Sequence, residues 1–164
     1  MKSEIRGKVW KFGDDINTDI ISPGEYMDAS YEDIGKHAME RAYPGFADAI
    51  EKGDIIVAGK NFGPGSSRET AQIALKYAGV GGVIAKSFAR IFFRNCINVG
   101  FPVVTFEGTD ELNQGDEIVV DLLNGKIEDL TTGKIYYGSK LPEHVLKIVE
   151  DGGLKNHLKK TLSK

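Results

Sequence analysis

The residues best suited to chemistry lie in one run, Gly59-Lys60-Asn61-Phe62-Gly63-Pro64-Gly65-Ser66-Ser67-Arg68-Glu69. The apolar stretch Ile55-Ile56-Val57-Ala58 precedes it, and Ala71, Ala74, Leu75 and Ala78 recur at helical spacing after it. The order is therefore buried strand, glycine loop, helix. Glycines let the backbone turn sharply and let a ligand come close. Unpaired N–H groups at a helix start favour anions. Arg68 adds a planar fork suited to carboxylate or phosphate, and two hydroxyls, Ser66 and Ser67, stand at the mouth. The Walker pattern needs Gly-Lys-Ser/Thr before the helix, and the dinucleotide pattern needs a third glycine where Arg68 stands. A nucleophile elbow needs a second glycine after its serine, and none is present. A carboxylate ligand remains. The same residues also spell a Ser-x-x-Glu capping box, Ser66 to Glu69. An arginine in the first helical turn opposes the helix dipole, which favours a bound anion over a purely structural cap.

Ser66 is not a base by itself. A helix N-terminus contributes at most about 2 kcal/mol, which moves a pKa by about 1.5 units. Basicity at Ser66 needs Arg68, a bound anion and a metal-bound substrate brought by another component. The single cysteine, Cys96, excludes an internal disulfide and cannot by itself ligate an iron–sulfur cluster. It sits in an apolar stretch and reads as packing. His37, His144 and His157 lie in charged helical stretches and read as surface residues. Arg90 and Arg94 share one helix face, solvated or at an interface. Lys155, Lys159 and Lys160 read as a solvated face. No histidine stands in motif relation to Ser66, which argues against a self-sufficient serine nucleophile.

The elements that position this run follow from periodicity and punctuation. Gly7–Phe12 reads as a short edge-type strand, followed by the acidic turn Gly13-Asp14-Asp15-Ile16-Asn17-Thr18-Asp19. Tyr31–Arg41 reads as a helix with Ile34, Ala38 and Met39 on one side, and Phe46–Glu51 as a second. Asp54–Ala58, Val83–Ala85 and Val103–Phe106 read as strands, with helices over Arg68–Tyr77 and Ser87–Cys96 between them. That alternation implies a mainly parallel sheet. Glu117–Leu123 and Lys134–Tyr137 read as further strands, with turns at Asn124-Gly125 and Thr132-Gly133. Pro142–Glu150 and Leu154–Leu162 read as closing helices, Pro142 at the first helical position. The 164 residues fit one domain, 1–164, of mixed α/β class. Lys and Arg total 21 against 24 Asp and Glu, so the net charge of -3 argues against a nucleic-acid binder. No apolar run is long enough to span a membrane, and the N-terminus lacks the apolar core of a signal peptide, so the cytoplasm is the expected location.

Three segments together resemble the swivelling domain of the aconitase superfamily. They are Asn61 to Glu69, Ala85-Lys86-Ser87-Phe88-Ala89-Arg90-Ile91-Phe92, and Gly13 to Asp19. The chain is similar over nearly its whole length to a stand-alone small subunit of the isopropylmalate dehydratase and homoaconitase type. The resemblance implies a swivelling β/β/α fold and a large-subunit partner carrying a [4Fe-4S] cluster, in a heterodimer or heterotetramer. It implies reversible dehydration and rehydration of a small dicarboxylic hydroxy acid. It assigns Ser66 as catalytic base and Ser67 and Arg68 as carboxylate ligands. It assigns Asp19 as support for a catalytic histidine of the large chain.

In the family the loop after the first motif distinguishes substrate side groups, and many members carry an arginine there. Here it reads Gly24-Glu25-Tyr26-Met27-Asp28, without one. An acidic side group wants an arginine partner, so the loop points to an apolar group such as isopropyl or methyl. That favours 3-isopropylmalate, then 2,3-dimethylmalate or a citraconate-type acid, over homoaconitate. Glu25 and Asp28 are alternatively contacts to the partner. Thr70 and Pro64 stand where many relatives have histidine and cysteine, and neither change removes an expected catalytic group. A non-catalytic anion-binding or regulatory module is the competing class.

Overall fold

The computed structural model describes residues 3–65 and 70–162. Among these, seven strands form one sheet: β1 (Glu4–Lys11), β2 (Ile55–Ala58), β3 (Gly82–Ala85), β4 (Val103–Thr105), β5 (Glu117–Asp121), β6 (Lys126–Asp129) and β7 (Ile135–Tyr137), in the spatial order β4-β3-β2-β1-β5-β6-β7. The helices are α1 (Thr18–Ile21), α2 (Tyr31–Lys36), α3 (Phe46–Ala49), α4 (Thr70–Ala78), α5 (Arg90–Asn98), α6 (Glu143–Glu150) and α7 (Leu154–Leu162).

The sheet has two halves of opposite character. β1 to β4 are mutually parallel, and β2 and β3 are buried along their whole length, as their unbroken apolar sequences require. β5 to β7 run antiparallel from the other side of β1. Ile118, Val120 and Ile127 alternate inward there, as in a sheet with one face on the core. α4 and α5 supply Ala71, Leu75, Phe92, Cys96 and Ile97 to the same core. A smaller cluster, Ile34, Ala38, Ile73 and Ala74, glues α2 to α4.

Asp54 anchors the start of β2. It is 5 % exposed, and its carboxylate accepts from the Lys8 N–H (3.1 Å), the Trp10 indole (2.9 Å) and the Glu51 N–H (3.0 Å). The Trp10 ring packs edge-on against Tyr43 and Phe46, each at 5.2 Å.

Several elements differ from the sequence reading. β1 is longer than Gly7–Phe12 and central, not an edge strand; its outward charges belong to a sheet exposed on one face. The helix expected over Tyr31–Arg41 stops at Lys36, where His37 leaves helical angles (φ -108°, ψ 8°), and Met39 then takes a left-handed backbone (φ 58°). Ala38 and Met39 are nonetheless fully buried, from a turn rather than a helix face. α3 is shorter than Phe46–Glu51, and α5 starts at Arg90 rather than Ser87. Pro142 caps α6 instead of opening it. β6 was hidden between the two turns. α7 spans the residues expected of it.

The antiparallel half buries two carboxyl groups together. Asp129 is fully buried and Asp116 is 6 % exposed. Asp129 Oδ1 accepts from the Thr131 and Thr132 N–H groups (3.0 and 3.1 Å), and its Oδ2 has no donor. Burial, then the facing Asp116 carboxyl, push the Asp129 pKa above the ordinary carboxylate value. A raised folded-state pKa gives stability that is complete below the unfolded value and is lost as pH rises through the folded one. Asp129→Asn keeps both backbone acceptances and offers Asp116 a donor. It is expected to raise stability at pH 7 by about 1 kcal/mol, the scale of one hydrogen bond. Urea unfolding across pH checks this, with the gain vanishing as pH falls below the unfolded carboxylate value.

Candidate active site

The three motif segments meet at the carboxyl ends of β1, β2 and β3, where ligands bind in open α/β sheets. Each segment follows one strand, and main-chain hydrogen bonds lace them together. Gly59 N–H donates to Gly13 O (3.0 Å), Asp15 N–H to Lys60 O (2.8 Å), Gly63 N–H to Ile16 O (2.8 Å) and Thr18 N–H to Pro64 O (2.9 Å). On the other side, Lys86 N–H donates to Gly59 O (3.0 Å), Phe62 N–H to Ser87 O (3.0 Å) and Ala89 N–H to Phe62 O (2.9 Å). Side chains add braces. Asp14 Oδ1 accepts from the Lys60 N–H (2.7 Å), Ser87 Oγ from the Asn61 N–H (2.7 Å), and Asp15 Oδ1 from Asn61 Nδ2 (3.0 Å). Asp15 and Asn61 both have positive φ (56° and 57°), a conformation that short polar side chains tolerate better than others.

Beneath the middle loop, Phe62 is buried against Phe92 (5.4 Å, edge-on) and Phe88 (6.0 Å). The loop fits because of two glycines. A Cβ on Gly63, whose φ is +94°, would stand 2.3 Å from the Phe92 ring. One on Gly65, at φ +122°, would stand 2.7 Å from Thr18 Oγ1. The backbone at Gly65 is thereby pressed against Thr18, the first residue of α1.

α1 carries Asp19. Asn17 caps it, its Oδ1 accepting from the Ile20 N–H (2.9 Å). Asp19 Oδ1 accepts from the Gly24 N–H (3.1 Å), and Oδ2 accepts from Arg41 Nη1. Gly24–Tyr26 forms a 3-10 turn. Glu25 Oε1 accepts from Arg41 Nη2 (2.6 Å), and the Tyr26 ring stacks on His37 at 3.7 Å. Desolvation, then Glu40 and Glu25, raise the Tyr26 phenol above its ordinary pKa.

The structure thus sets Thr18, the neighbour of Asp19, against the glycine loop, and ties Gly24 to Asp19. Ser66, Ser67, Arg68 and the capping-box partner Glu69 lie outside the described residues, as does the expected helix start at Arg68. Two features were missed from sequence. Arg41 lies outside every motif and reaches Asp19 and Glu25 from the turn that follows α2. His37 is not a plain surface residue: it stacks under Tyr26 and pairs with Glu40 (2.7 Å). His157 likewise pairs with Asp151 (2.8 Å).

The donor set does not suit an iron–sulfur cluster. Such clusters need several thiolates. Cys96 is the sole cysteine, fully buried, and burial pushes its thiol pKa well up. Among the described residues, no group of three or more His, Cys, Asp or Glu could hold a metal ion, and no helix is long and apolar enough to cross a membrane.

The mixed sheet, whose parallel strands deliver three braced loops to their carboxyl ends, is an α/β domain with its candidate site at those ends. The model for the aconitase C-terminal domain matches residues 15–108. The chain belongs to that family. It is 54 % identical over 158 residues to 3-isopropylmalate dehydratase small subunit 1 of Thermotoga maritima, covering 95 % of each chain. It is 51 % identical to the methanogen homoaconitase small subunit of Methanothermobacter thermautotrophicus, over 99 % of this chain and 95 % of that one. Among solved structures, 3-isopropylmalate dehydratase of Methanocaldococcus jannaschii matches with a TM-score of 0.93 and 43 % identity, over 98 % and 96 % of the two chains.

Gly63→Ala is expected to cost about 2–4 kcal/mol, from left-handed strain plus overpacking against Phe92. Equilibrium urea denaturation measures it; a loss under 1 kcal/mol contradicts the close approach described.

Proposed function

We propose that this chain is the small subunit of a two-component hydro-lyase of the 3-isopropylmalate dehydratase type, acting in leucine biosynthesis in the cytoplasm with a cluster-bearing large subunit. The observation that carries the reading is the lacing of the Gly13–Asp19 segment to the glycine loop at the carboxyl ends of β1 and β2, with Gly24 tied to Asp19. Full-length relatives of the same kind support it.

In this reading Ser67 and Arg68 bind a substrate carboxylate, Arg68 through its two-pronged fork. Ser66, at the approach to α4, takes the proton next to that carboxylate. Asp19 orients a histidine of the large chain. When bound, the [4Fe-4S] cluster expected in the partner would supply Lewis-acid polarisation of the substrate hydroxyl. That supplies the electrostatics a helix N-terminus cannot give Ser66 alone.

Substrate choice is read from the loop. Its neighbouring guanidinium, Arg41, already pairs with Glu25 and Asp19. No arginine lies within the loop to meet a third substrate carboxylate. This favours 3-isopropylmalate or a related alkylmalate over homocitrate, despite the similarity to a homoaconitase subunit.

The test is anaerobic reconstitution with the large subunit, following absorbance of the unsaturated diacid. Activity should appear only in the mixture and rank 3-isopropylmalate above homocitrate. Ser66→Ala should lower kcat at least about 100-fold while the two chains still assemble. Arg68→Lys should raise KM about tenfold, since the fork is lost. Unfolding of Ser66→Ala, with normal turnover per folded molecule, would return Ser66 to a helix cap. Silence on every diacid with a loaded cluster would indicate a binding module instead.

A further inference from the structure

Arg41 joins two parts of the candidate site that are separate in sequence. It leaves the turn after α2, two residues past the left-handed Met39. One arm donates to Asp19 Oδ2 and the other to Glu25 Oε1, at 2.6 Å. The second Asp19 oxygen accepts from the Gly24 N–H, at the start of the same loop. Both oxygens of Asp19 are therefore held, one by the loop's own backbone and one by a guanidinium that also grips the loop. The segment bearing Arg41 supports the loop a second time, through the Tyr26–His37 stack and the His37–Glu40 pair.

Magnitudes separate positioning from stability. The side chains of Arg41, Asp19 and Glu25 are 44 %, 55 % and 59 % exposed. Ion pairs this wet add little to folding. A planar fork shared by two carboxylates nonetheless fixes their relative orientation, as an ammonium does not.

We propose that Arg41 is a positioning residue, a clamp that sets the Asp19 carboxylate and the 24–28 loop in one arrangement and acts on turnover only through them. The catalytic half of this inference rests on the function proposed above.

A double-mutant cycle in the reconstituted enzyme tests it, alongside amide exchange on the full-length small subunit alone. Arg41→Ala and Asp19→Asn should each lower kcat by about tenfold or more, and the double variant should be no slower than the slower single one. Arg41→Lys, which keeps charge without the fork, should recover only part of the loss. In the isolated chain, Arg41→Ala should speed exchange of amides in residues 19–28 several-fold while Tm moves by less than about 4 °C. Additive losses in the cycle, or unchanged exchange and unchanged kcat, would overturn the clamp. So would a large fall in Tm with normal turnover per folded molecule. If the wild-type pair is silent on every hydroxy diacid, the functional reading fails and the catalytic role of Arg41 with it. The exchange experiment still reports separately whether the clamp holds the loop.

Discussion

The constraint on which the rest depends is the lacing of three loops at the carboxyl ends of neighbouring parallel strands. Strands β1, β2 and β3 end side by side, and the chain leaving each must satisfy its backbone groups without a ladder. Here the loops satisfy one another. The middle loop, residues 59–65, accepts and donates on both sides, so neither neighbour can shift without breaking main-chain bonds. The aromatic floor of Phe62, Phe88 and Phe92 lets this polar ring sit on a dry base. Rigid support of this kind suits the role proposed for this loop, because small displacements cost large factors in rate.

Electrostatics divides along the same line. Close to the site, charges are exposed and paired loosely in energy but tightly in geometry. Away from it, burial sets the terms: it raises the Asp129 pKa beside Asp116, and pushes the Cys96 thiol well up in the apolar core. Lys11 reaches inward to the carbonyls of Thr109 and Leu112, and burial lowers its pKa despite the nearby Asp110.

Much of this was legible in the residues. The apolar runs of β2 and β3 name themselves, and α7 and the Asn124-Gly125 hairpin fell where punctuation placed them. The site loops were legible as a set because their motifs are specific together. Other parts were hidden for physical reasons. β6 carries one core residue, Ile127, among charges, so its inward Asp129 reads as polar surface. α2 ends before His37, and the turn that follows puts Met39 in a left-handed backbone, a tertiary choice that no local propensity signals. The start of α5 is delayed because residues 87–89 are used to brace the middle loop. Arg41 was invisible for the same reason as Met39: its meaning comes from a turn, not from spacing.

Asp54 has a consequence for how the chain folds. The β1–β2 pairing joins residues 46 positions apart, as Val9 and Ile55 are, and such non-local parallel contacts form slowly. A slipped register would bury the Asp54 carboxylate away from the Lys8 amide and the Trp10 indole. Leaving a charge buried without its donors is far more costly than misplacing an aliphatic side chain. The carboxylate thus penalises a misaligned pairing of β1 with β2, at the end of the sheet opposite the laced loops.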